Sequence, residues 1–253
     1  MSVKEKLTAL ANKIRSHTGK TTLLSLDDMA TEIDTVAVAM PNALISRAYE
    51  TLVIPKGCNT ISAYAFYYAN KKLKSVSVES TRLWGVYYAA FFHCDLLEEF
   101  RIADKCNISR FGGKAFNNCS KLKVIDLTNY SGNDIPFLDS VNAFDGVHAD
   151  CVIIVPAKLY DQWISATNWS AVADMIAPAL TYGTARLDSG YTNTAFGVTA
   201  SHVDSSFVYV PESSAGKAIG FRVFYNNKYC KKVIIAVDKA LIGQSSFNSC
   251  TSL

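Results

Sequence analysis

The chain has 253 residues, of which 49% are apolar and 19% charged, and its net charge is +3. A charge so small and unclustered gives no electrostatic footprint for nucleic acid. No run reaches the roughly 18 apolar residues that a membrane helix needs. The opening MSVKEKLTALANKIRSH lacks the apolar core of a secretory signal, so reaching the cell exterior would require another route, such as lysis.

Residues 2–17 place Val3, Leu7, Leu10, Ala11 and Ile14 on one stripe of an amphipathic helix, stopped at Gly19. Ser25 can cap a second helix, and Asp27 and Asp28 suit its positive start. The expectation is a helical docking or capping hairpin over residues 1–38. It is not a DNA reader, because Asp27, Asp28, Glu32 and Asp34 would repel phosphates. Nor is Gly19-Lys20-Thr21 a phosphate loop: Ile14 stands where the loop requires glycine, and no strand precedes it.

Pro41 and Asn42 mark a connector, and Thr51–Pro55 reads as a strand ended by proline. One phrase then recurs. AFNNCSKLKVIDL begins at Ala115 and AFFHCDLLEEFRI at Ala90; AFYYANKKLKSVSV, with one extra residue, begins at Ala65. The period is about 25 residues, and a fourth Ala-Phe pair, Ala143-Phe144, follows 28 residues later. Periods of about 20–29 residues with a Leu-x-x-Φ-x-Φ core are those of leucine-rich repeats. A single copy buries too few side chains to offset the entropy of ordering itself, so the copies must stack.

The segment Cys151–Ile176 departs from the phrase. A strand ending at Pro156 is followed by Leu159, Trp163, Ile164, Trp169, Val172 and Ile176 at roughly helical spacing, which predicts a helical cap with its tryptophans in the core. Residues 177–206 read as a β-rich connector. The phrase returns at Phe207–Pro211 and Val223–Ile235, and again at Ser246–Leu253, where the sequence stops inside the motif. That stop predicts a chain that continues into further repeats.

The Ala-Phe-x-x-Cys-x-x-Leu-x-x-Ile-x-Leu wording resembles the BspA-like leucine-rich repeats of bacterial surface and phage-associated proteins. The resemblance covers roughly residues 50–176. It implies an α/β repeat: a leucine-rich-repeat solenoid with short parallel strands and a Trp-containing cap, preceded by the helical hairpin. The expected organisation is residues 1–38 as the hairpin, 39–176 as the capped solenoid, 177–206 as the connector and 207–253 as the start of a second array. KLTALANKIRSHTGKTTLLSLDDMATEI in turn resembles a short module at the start of phage and prophage tail-associated proteins.

Chemistry is sparse. His17, His93, His148 and His202 form no metal-type pair, no Gly-x-Ser-x-Gly elbow is present, and no CxxC occurs among the seven cysteines. Cys94, Cys119 and Cys250 share one repeat slot, which reads as a small buried hydrophobe. No enzyme, cofactor or metal is expected. Binding is the alternative. The two variable residues after Ala-Phe stack from copy to copy: Tyr67-Tyr68, Phe92-His93 and Asn117-Asn118. Trp84, Tyr87 and Tyr88 lie near them in sequence. Such stacked positions either fill space between repeats or make an aromatic ligand face for a protein edge or a sugar.

The leading expectation is a phage or prophage tail component, assembled in the bacterial cytoplasm, that recognises a host-surface protein or glycan. Its helices would dock on other virion proteins or pair copies of the chain as a homo-oligomer. The alternatives are a bacterial cell-surface adhesion protein and an intracellular interaction scaffold.

Overall fold

The structure is a computed structural model that describes residues 50–68, 72–186, 192–197, 207–210, 218–219, 222, 224–236 and 241–253. The helical hairpin expected over residues 1–38 lies outside the described residues.

The repeats build one parallel sheet. Its strands are β1 (Thr51–Ile54), β2 (Ser75–Val78), β4 (Glu99–Ile102), β7 (Val124–Asp126), β9 (Val152–Val155) and β10 (Ile176–Pro178), side by side in that order. The register follows the sequence period: Thr51 pairs with Ser75, Ser75 with Glu99, Glu99 with Val124, and Val124 with Val152. Alternate side chains point to opposite faces of a strand. Thus Leu52, Val76, Phe100, Ile125 and Ile153 form one buried row in register. Leu73, Leu97 and Leu122 fill the leucine slots below it and are equally buried.

Shorter strands form a second set of parallel rungs within each copy. β3 (Arg82–Leu83) pairs with β5 (Asn107–Ile108), and β6 (Arg110–Phe111) with β8 (Phe137–Leu138). Single bridges link Ile61, Val86 and Phe111.

The expected α/β character is corrected here. Among the described residues of the first three copies, consecutive turns occupy the side where an α/β repeat would place helices. Two residues per copy, four apart, take left-handed backbone: Tyr64 and Tyr68, Ala89 and His93, Lys114 and Asn118, with φ between 53° and 60°. Each such residue costs about 1–2 kcal/mol when it is not glycine. The geometry is held by hydrogen bonds to the next copy. The amides of Tyr64, Phe66 and Tyr68 donate to the carbonyls of Tyr88, Ala90 and Phe92 at 3.0, 2.7 and 2.9 Å.

The Trp segment is also less helical than its spacing implied. The helix α1 spans only Tyr160–Ser165. Ala166 is extended and Asn168 has φ 64°, so the chain continues as 3-10 turns over Trp169–Met175 before entering β10. Trp163 and Trp169 are nonetheless fully buried. Their rings lie 5.7 Å apart, and the Trp169 indole donates to the Pro136 carbonyl at 2.8 Å.

Beyond β10, β11 (Thr181–Arg186) and β12 (Thr192–Gly197) form an antiparallel hairpin. β12 pairs in parallel with β14 (Ala218–Ile219), and β14 with β16 (Leu241–Ile242). β13 (Phe207–Val210) pairs with β15 (Lys232–Ile235) in the register of a further repeat, Phe207 opposite Lys232.

Candidate functional site

Three rows of side chains run along the turns. The innermost is Phe66, Phe91, Phe116 and Phe144, stacked at 5.1, 5.3 and 6.0 Å with planes within 10°. It is buried and forms the spine of the core. The cysteine slot lies behind it. The thiols of Cys94 and Cys119 donate to the carbonyls of Phe66 and Phe91 at 3.1 and 3.0 Å. Cys250 makes the same bond to Phe224 at 3.1 Å. All seven cysteines are free. Burial pushes the Cys106 thiol up to about 11 and that of Cys151 up to about 12. Thiols so protonated are poor nucleophiles. Among the described residues, no group of three or more His, Cys, Asp or Glu side chains could hold a metal ion.

The outer two rows hold the variable residues. Tyr67 stacks on Phe92 at 5.2 Å with an interplanar angle of 8°, and Tyr68 on His93 at 4.7 Å with 7°. Each ring therefore lies on its counterpart one copy along, as equal spacing and parallel strands require. Tyr64 completes the cluster, edge-on to Tyr67 at 5.6 Å and to Tyr88 at 5.5 Å. Tyr64, Tyr67, Tyr68 and Tyr88 are 43–49% exposed; Phe92 and His93 are half-buried. Crowding by neighbouring groups, and then the adjacent Tyr68, raises the Tyr67 phenol above its ordinary pKa.

The third copy changes the chemistry. Asn117 is buried and its amide donates to the Asn142 carbonyl at 3.1 Å, so it is withdrawn from the face. The Asn118 amide lies 3.1 Å from His93 Nε2, while His93 Nδ1 faces Asp95 at 3.3 Å. Both asparagines thus act as linkers between copies.

Trp84 and Tyr87 stand apart from these rows in their partners. The Arg82 guanidinium lies 4.3 Å from the Trp84 ring centre, and that of Arg110 lies 5.9 Å from Tyr87. Arg110 also pairs with Asp139 at 2.9 Å. The Lys114 ammonium sits 5.9 Å from the Phe92 ring. Sequence reasoning missed Tyr64 and these three cations. The signal for Tyr64 was its place immediately before Ala-Phe, the left-handed position that Ala89 and Lys114 fill in the next copies.

The turns, stacked rows and parallel register together describe a repeat array. A family model for the BspA type leucine rich repeat region matches the chain in six copies, over residues 41–136 and 205–253. No curated protein and no solved structure matches the chain. With more than half of its length covered by that model, the chain belongs to the BspA type leucine-rich-repeat family.

Proposed function

We propose that the chain is a non-enzymatic binding protein that holds a partner against its turn face, with Tyr64, Tyr67, Tyr68, Tyr88 and Phe92 as the contact. The observation that carries this reading is one continuous cluster of rings, four of them exposed tyrosines around the half-buried Phe92. Each ring is locked by a neighbour, so little side-chain entropy is lost on binding. Tyrosines held in this way are the anchors from which protein interfaces draw most of their energy.

The resemblance of residues 6–33 to phage tail modules supports a tail-associated component, assembled in the bacterial cytoplasm, whose target is a host-surface molecule. On this reading residues 39–176 bind, 177–206 connect, and 207–253 begin a second array. The repeats suit a bacterial-surface adhesion protein equally. Fractionation after prophage induction separates the two: co-sedimentation with tail particles supports the first, and recovery in the cell envelope without particles overturns it. The face itself is tested by Tyr67→Asn/Tyr68→Asn, which gives the first copy the Asn-Asn wording of the third. That variant should keep its circular dichroism and lose partner binding; undiminished binding would remove the face from consideration.

A further inference from the structure

We draw no further inference here: the strongest candidate, the groove between the outer face of β4 and β7 and the strand β15, is lined by charged side chains of both signs, and nothing in the structure shows what covers it.

Discussion

The spine of stacked phenylalanines makes a graded prediction, because its members differ in how many rings surround them. Phe116 is fully buried, stacked on Phe91 at 5.3 Å and on Phe144 at 6.0 Å, with its ring edge-on to Phe100 at 5.2 Å. Phe66 is 7% exposed and stacks on Phe91 at 5.1 Å. Truncating a buried Phe to Ala costs about 3–5 kcal/mol, and each aromatic pair adds roughly 0.5–1.5 kcal/mol beyond burial. Phe116→Ala breaks two stacked pairs and one edge pair, which puts it at the top of that range, at about 5 kcal/mol. Phe66→Ala breaks one stacked pair near the start of the row and belongs at about 3 kcal/mol. In a repeat array the interface between neighbours carries much of the stability, so a position between two copies must cost more than one at the end. Equilibrium urea unfolding, read by the buried Trp163 and Trp169, measures both. Equal costs, or a larger cost for Phe66→Ala, would refute the account of the spine as the element that couples copies.

Two further outcomes follow from burial and close approach. Burial raises the pKa values of Cys106 to about 11, Cys151 to about 12 and Tyr130 to about 12 above their unfolded values. The folded state therefore favours the protonated groups. This stabilisation is complete below about pH 8.5 and is lost as pH rises through the folded values. The urea midpoint should fall between pH 9 and 11, and a flat profile there would count against the buried thiols. At pH 8, iodoacetamide should mark the partly exposed Cys58 and Cys250 before the other five. A Cβ on Gly112 would lie 2.5 Å from the backbone at Tyr87 and Tyr88, whereas one on Gly113 would meet nothing closer than 3.5 Å. Gly112→Ala should destabilise by about 3 kcal/mol and Gly113→Ala by less than about 1 kcal/mol, as thermal or urea melts would show.

The core of the array was legible because burial and period coincide. Phe91, Phe116, Leu97, Leu122 and the strand residues recur every 25 or so positions, and stacking is the only way such a phrase buries its apolar side. The cysteine slot was legible as small and buried, but its reason was not. The thiol reaches the Phe carbonyl of the copy before it, a contact 28 residues away in sequence. Asn227 fills that slot in the first described turn of the second array, where its side chain accepts instead from the amides of Tyr229 and Cys230. The Trp segment misled because one residue, Asn168, takes a left-handed turn that spacing cannot reveal. At the face, the sequence marked which positions vary but not which are exposed. Asn117 and Asn118 share slots with Tyr67 and Tyr68, yet they form links between copies because amides reach neighbouring polar groups that rings do not.

The same geometry explains why binding is assigned to the turns and not to the outer face of the sheet. Along that face the rows pass from Thr51 and Ser75 through Glu99 and Arg101 to Val152, Ile154 and Ala177. The apolar end is not available. Phe207 and Tyr209 of β13, with Ile234 of β15, pack on Val152, Ile154 and Ala177, which is why every residue of β9 and β13 is buried. Lys232 reaches Asp150 at 3.7 Å beside this contact. The open groove that remains, about 570 Å³, is lined by Glu99, Arg101, Lys123, Asp126, Tyr209 and Ile234. There Arg101 is already paired with Glu99, whereas Lys123 and Asp126 have no ion pair within 4.0 Å among the described residues. A ligand for the apolar end would have to displace Phe207, which is 1% exposed, and lose the burial it provides. The turn face demands no such displacement. Its rings are already ordered by one another, Tyr67 on Phe92 and Tyr68 on His93.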